Sequence, residues 1–462
     1  MKVGGVSLNN NPYYDMLTKL VSFVLIFILY LFELDSPGKY NNGLVYFSNA
    51  LVVIYSLIHI ISDKKRGFSS QKIFYLFIFF FMGIAPILQY KNGDETVGGY
   101  KILEQTYIYI NFILLFIFII FDIFYYYFSL KFKSKKVPFY IPKKSGNYSE
   151  SKIWILSLIG LALFSTALTL YYFREAPLML VFRGLEDFTS TDLMKQKDSS
   201  FSVLLILAFA RPITFAVCLN YLCMGKNKYL KFIFIILALI TNFPTGLARL
   251  RVAAYYLPLM LLLFKWVRKK NNFVFLFCFG LLLIFPFLNN FRTFSSGQSI
   301  GLGLDFEMFR SMNFDSYQSF AFVFQNEYIT FGRQLLVVLF FWVPRSIWPD
   351  KPLMSGREVA NEFDLSFGQI SMNYFGEGYI NFGLVGVVVF AIFLSYISCY
   401  FDYKFWRLLK GNIYNTFTPF YLFFIGMCFF FMRGDLMNGF SYTIFLLFAN
   451  YVVYKVTRSF YK

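Results

Sequence analysis

Long apolar runs separated by short polar stretches occupy most of the chain. A helix needs roughly 17–25 apolar residues to cross a bilayer. On that rule the runs predict twelve spans, near 18–34, 43–62, 72–90, 105–130, 153–172, 201–222, 230–245, 252–267, 273–291, 383–403, 413–432 and 438–455. A further run, Leu335–Trp342, is short and is flanked by Arg333 and Arg345. Two long segments, 173–200 and 292–382, carry no run of spanning length. The expected fold is all-α: one polytopic membrane domain over 1–462, with one large and one medium loop.

Composition agrees with that class. Hydrophobic residues make up 58% of the chain and its mean hydropathy is +0.57, which excludes an ordinary soluble domain. The first apolar run, Leu20–Leu34, lacks a small-residue cleavage site and reads as an uncleaved span. The five cysteines, Cys218, Cys223, Cys278, Cys399 and Cys428, all fall in or beside apolar runs. No disulfide framework is therefore indicated, and with His59 as the one histidine no zinc site either. His59 sits near the end of the second span, where packing is the simplest role. No Gly-rich nucleotide loop is present, so neither a cofactor nor a nucleotide-driven reaction is expected.

Charge orients the spans. Basic loops at Lys64–Lys72, Lys131–Lys144, Lys226–Lys231 and Arg268–Lys270 alternate with less basic ones. Taken as cytoplasmic, they place the N-terminus inside. If Leu335–Trp342 does not cross, Lys404–Lys410 and the basic C-terminus also fall inside. It is therefore read as a re-entrant or surface-lying piece near 335–348. Segments 292–382 and 173–200 then become external loops.

This topology separates the two basic residue types. Most of the 28 lysines are cytoplasmic, as orientation demands. Ten of the 15 arginines are external: Arg174, Arg183, Arg249, Arg251, Arg292, Arg310, Arg333, Arg345, Arg357 and Arg433. Arginine stays charged and grips phosphate with a planar fork. An external anionic ligand accounts for the set; pairing with Glu175, Asp187, Asp315 and Glu358 is the plainer alternative. The net charge of +18 is explained largely by orientation, and no nucleic-acid motif accompanies it.

Several positions are candidates for chemistry. Pro244 and Gly246 break the chain before Arg249 and Arg251, which open the next helix, where an anion is favoured. Arg211 falls inside a span, where a charge faces a cavity or a partner. Asn313–Phe320 mixes aromatics with Asp315 and Gln318, a mixture that suits sugar rings. Arg345 is held between Pro344 and Pro349. Glu377 lies between Gly376 and Gly378 just before a span, which makes it the first choice of general base, with Asp315 the second.

The segments Gly332–Pro352 (GRQLLVVLFFWVPRSIWPDKP) and Phe375–Gly383 (FGEGYINFG), set among a dozen spans with two unequal external loops, resemble the Wzy-type O-antigen polymerases of bacteria. That family also carries an Arg-x10-Gly spacing in its external loops. Arg292 to Gly303, Arg345 to Gly356 and Arg357 to Gly368 fit it, but all three lie in the large loop. The medium loop, with Arg174 and Arg183, has none. The resemblance implies an inner-membrane glycosyltransferase, with an architecture like that of GT-C enzymes. It would move a growing glycan from undecaprenyl pyrophosphate to a lipid-linked repeat unit, alongside a flippase and a chain-length regulator. Under it Arg211, Arg249, Arg251, Arg333 and Arg345 would bind pyrophosphate, Glu377 or Asp315 would act as base, and Tyr317, Gln318, Trp348 and Tyr379 would contact the glycan. No metal is implied. The related O-antigen ligases use a histidine in the large loop, which this chain lacks there. A transporter or flippase for an anionic or lipid-linked solute is the reading from another class.

Overall fold

A computed structural model describes residues 38–62, 66–134, 151–174, 177–182, 210–269, 271–289 and 307–460. Every regular element among them is helical. The principal helices are α1 (Gly43–Ser62), α2 (Ser70–Asn92), α3 (Glu104–Ser134), α4 (Lys152–Tyr172), α5 (Arg211–Met224), α6 (Lys228–Thr241), α7 (Arg249–Leu263) and α8 (Asn272–Leu288). They continue with α9 (Ser316–Gln325), α10 (Arg333–Leu339), α11 (Ser355–Glu362), α12 (Tyr374–Tyr403), α13 (Thr418–Arg433) and α14 (Leu436–Phe460).

Seven helices among the described residues are long and apolar enough to cross a membrane, and three shorter apolar ones lie within 251–263, 272–288 and 418–433. The span expected at 18–34 lies outside the described residues, as do 201–209, Arg183, Asp187, Glu175, Arg292 and Gly303. On α3 the exposed rings of Tyr109 and Tyr126 stand about 26 Å apart at 1.5 Å per residue. Aromatic girdles at the two faces of a ~30 Å hydrocarbon layer have this spacing.

Two apolar cores build the molecule. One joins α1, α2, α3 and α12 with much of α9; the other joins α4, α5, α6, α7 and α14. Helix α13 feeds both, with Tyr421 and Ile425 in the first and Phe423 and Met427 in the second.

At one end of the bundle Asp402 ties four elements together. Its carboxylate accepts from Ser70 N at 3.0 Å, Ser70 Oγ at 2.8 Å, Tyr125 Oη at 2.9 Å and Tyr421 Oη at 2.7 Å. Arg66 lies 3.5 Å away. The first N–H groups of α2 have no partner within their own helix, and Asp402 supplies one. Nearby, His59 Nε2 is 3.2 Å from Asp122, and its ring stacks between Tyr55 and Tyr75.

One feature differs from the sequence reading. The segment Phe375–Asn381, expected as loop ahead of a span, is helical. Helix α12 breaks at Phe382 and Gly383, and Gly383 takes φ 61°, which glycine adopts without steric cost. The turns before the break fold back on the span that follows. Tyr374 Oη donates to the Phe390 carbonyl at 3.0 Å, and a Cβ on Gly386 would stand 1.9 Å from the Gly378 carbonyl oxygen. The close-packed glycines thus serve a helical hairpin. The run Leu335–Trp342 contributes only to α10 (Arg333–Leu339), which is seven residues long and about 10 Å, too short to cross.

Asp402→Ala removes a carboxylate from beside Arg66 and takes the acceptor from several buried donors. It is expected to cost on the order of 3–5 kcal/mol, read as a fall in melting temperature of the detergent-solubilised protein.

A candidate anion site at the loop-bearing end

The opposite end of the bundle carries the candidate residues. Helix α6 stops at Thr241, and a short turn over Pro244–Gly246 leads into α7. Gly246 is required there, because an added Cβ would meet the Leu180 carbonyl oxygen at 1.9 Å. Thr245 also donates to the Val181 carbonyl. The 177–182 segment is thereby docked on the turn that presents Arg249 and Arg251.

The two arginines diverge, as a spacing of two on a helix requires. Arg249 lies over Phe285 at 4.1 Å and donates to Asn313 Oδ1 at 2.6 Å. Arg251 lies over Tyr442 at 4.1 Å and donates to its hydroxyl. Arg211 is buried beside it and within electrostatic reach. Arg211 Nε donates to the Thr241 carbonyl at 2.9 Å, and its guanidinium lies over Phe173 at 5.3 Å. Its Nη2 has no hydrogen-bond partner among the described residues. The sequence reading put Arg211 at mid-span. The structure puts it level with the end of α6, against a helix-terminal carbonyl.

An apolar groove lies beside this pair, lined by Pro212, Ala254, Tyr255, Met427, Phe430 and Leu446 together with Arg251 and Tyr442. No described ion pair supplies either Arg211 or Arg251 with a carboxylate.

Across α13 stands a second group. Arg433 donates to the Asn313 carbonyl from Nε at 3.0 Å and Nη2 at 2.7 Å, so Asn313 is held by two arginines. Arg433 Nη2 is 3.7 Å from Asp315 Oδ1. Asp315 Oδ2 accepts from Ser371 N at 3.0 Å, while Oδ1 has no hydrogen bond. Asp435 accepts from Gly356 N, Met372 N and Gln369 Nε2 at 3.2, 3.1 and 3.2 Å. Glu377 is fully buried: Oε2 accepts from Ser355 Oγ at 2.7 Å and Oε1 from Leu436 N at 2.8 Å.

Burial raises both aspartates. Asp315 is pushed up to about 6 despite Arg433 and the Ser371 amide. Asp435 is pushed up to about 6 by burial and, more weakly, by Asp315, against the pull of its donors. Burial disfavours a charged carboxylate whenever the compensating donors are too few.

The remaining candidates lie elsewhere. Tyr317 is buried and donates to the Tyr107 carbonyl and to Asn111 Oδ1, each at 2.9 Å. Gln318 accepts from Thr96 N at 2.8 Å and donates to the Asp94 carbonyl at 2.7 Å. Both polar groups are committed to anchoring α9, so the sugar-contact role is not carried further for them. Tyr379 packs against Phe324, with ring centroids 5.4 Å apart. Arg333 is exposed and 3.5 Å from Glu358. Arg345 is exposed and donates to the Pro352 carbonyl at 3.4 Å; Trp348 is half-buried. No described hydrogen bond or ion pair links Arg333 or Arg345 to the Arg249–Arg433 group. Sequence reasoning did not single out Asp435 or Tyr442; it named Arg433 only within the external arginine set and Asn313 only as the first residue of a candidate segment. The signal was present in Arg433-Gly434-Asp435, a charged break inside an apolar stretch.

Comparison with protein-family models, with curated proteins and with solved structures finds no match, so the site is read from its own geometry.

For Asp315 and Asp435 the folded pKa lies above the unfolded value of 3.8. Their contribution to stability is complete below about pH 4 and is lost as pH rises through 6. Arg433, Gln369 and Glu377 are the charged and polar neighbours. Each aspartate is worth on the order of 3 kcal/mol across that window. Melting temperature should therefore fall between pH 4.5 and 7, and the slope should flatten in Asp435→Asn.

Proposed function

We propose that the protein is a polyprenyl-pyrophosphate-dependent glycosyltransferase that polymerises lipid-linked repeat units at the external face of a bacterial inner membrane. Twelve spans with both termini in the cytoplasm are part of this reading. The observation that carries it is the Arg211–Arg251 pair: two cations with no carboxylate partner described, of which Arg251 lines an apolar groove. A ligand with an anionic head and a hydrocarbon tail has that chemistry.

In the reaction, an acceptor hydroxyl oxygen attacks the anomeric carbon of the growing glycan. The bond from that carbon to the pyrophosphate oxygen breaks, and undecaprenyl pyrophosphate leaves. Arg211 and Arg251 stabilise its developing charge, with Arg249 and Arg433 adding to the positive field. The hydroxyl proton passes to a carboxylate. Asp315 suits that role better than Glu377, because its Oδ1 has no hydrogen bond and both Glu377 oxygens are occupied. Asp435 and Glu377 hold α11, α12 and α14 together around it. A ligase role is disfavoured because His59 belongs to the opposite end of the bundle.

The test reconstitutes the protein with lipid-linked repeat units and looks for a ladder of longer glycans. Arg251→Ala should lower elongation by about 10²–10³-fold, the usual cost of removing a stabiliser of developing charge. Arg333→Ala should stay within about twofold, since this exposed side chain pairs only at its surface. Transfer of the lipid between leaflets without elongation would replace the polymerase reading with a flippase.

A further inference from the structure

The hairpin 331–352 accounts for its own backbone in an unusual way. Helix α10 ends at Leu339, and its last carbonyls have no partners within the helix. Lys351 closes the turn that follows Leu339 from across the hairpin. Its Nζ donates to the carbonyls of Phe340 at 3.3 Å, Phe341 at 2.7 Å and Val343 at 2.9 Å. All three ammonium protons are thus spent on the turn that follows α10.

The other end is matched to the break in α12. Leu335 N donates to Asn381 Oδ1 at 2.7 Å, and Asn381 Nδ2 donates to the Glu377 carbonyl at 2.8 Å. The Ile380 carbonyl, left free where α12 turns at Phe382, accepts from Thr330 N at 2.6 Å and Thr330 Oγ1 at 3.1 Å. Two broken helices therefore satisfy each other. In water such groups need no protein partner. In hydrocarbon each unsatisfied one costs several kcal/mol.

The outer surface of the hairpin is apolar. Leu336, Leu339, Phe340 and Trp342 are about half exposed or more. This surface continues that of α12, where Phe382, Leu384, Val385 and Val389 are also exposed; a Cβ on Gly332 would stand 3.0 Å from the Phe382 ring. The hairpin also reaches down the bundle. Phe341 packs against Phe440 and Phe445, about 6 and 14 Å along α14 from its first residue. Arg345 and Asp350 are exposed beyond the apolar face, where long polar side chains reach the headgroups.

We propose that residues 331–352 are embedded in one lipid leaflet, with Leu336, Leu339, Phe340 and Trp342 in the hydrocarbon and Lys351 as the internal plug that makes a broken helix tolerable there. The partner is the acyl-chain layer itself. The continuity with α12 and the depth reached by Phe341 argue for lipid over a protein partner. This inference does not depend on the proposed reaction.

The test places an environment-sensitive fluorophore on Leu336→Cys, Leu339→Cys or Asp350→Cys in the full chain, reconstituted in phosphatidylcholine–phosphatidylglycerol vesicles. The native cysteines are all buried, which keeps background labelling low. Labels at 336 and 339 should be quenched by lipids spin-labelled along the acyl chain and be several-fold less sensitive to iodide than the label at 350. Equal iodide quenching at all three sites would place the hairpin in water and overturn the proposal. In Lys351→Met the label at 339 should become several-fold more accessible to iodide, and Lys351→Arg should restore protection. An unchanged response in Lys351→Met would remove Lys351 from the plug role. The label pattern in the otherwise wild-type chain stands even if that variant fails to fold.

Discussion

A helix that stops inside a membrane protein leaves carbonyls and amides that neither lipid nor an apolar core can satisfy. The loop-bearing end of this bundle is organised around that constraint. Helix α12 breaks at Phe382, and Thr330 takes its free carbonyl. Helix α10 ends after seven residues, and Lys351 takes the carbonyls of the turn that follows. Helix α13 ends at Arg433, and Asp435 gathers the amides of the covering segment while Glu377 takes the first amide of α14. Each break is tolerable because another part of the chain brings the missing partner.

The same arrangement brings charged groups together. Once the breaks are covered by 307–315 and 353–373, charged groups become buried close together, and burial sets their character. Asp315 and Asp435 hold their protons to about pH 6, with Arg433 beside them. Arg211 and Arg251 gather on the other side of α13, over aromatic rings and with no described carboxylate. A cation left without an anion in a low-dielectric setting is an affinity for one. The opposite end, around Asp402 and His59, is by contrast a set of polar ties between helices.

Much of the helical frame could be read from hydropathy. The run at 43–62 coincides with α1, and that at 383–403 coincides with the part of α12 beyond its break. The arginines of the expected external segments drew attention to Arg249 and Arg251, and the structure sets Arg211 beside Arg251. Local pattern misplaced Phe375–Asn381, because glycines that usually mark a loop here permit two helical turns to pack face to face. For Tyr317 and Gln318, mixed polarity suits a sugar as well as it suits the buried anchor that the structure shows.

The sequence by itself determined an all-helical membrane protein and the short, non-crossing run at Leu335–Trp342. Both follow from the fixed thickness of the hydrocarbon layer and the 1.5 Å rise of a helix. It also held the charges that chemistry would use. Only the tertiary structure decided which of them meet. Arg433 joins Asp315 across more than a hundred residues, Lys351 turns from a surface cation into the closure of the turn after α10, and Arg345 stands apart. Those choices depend on where broken helices come to rest, and that is set by long-range packing which no local pattern encodes.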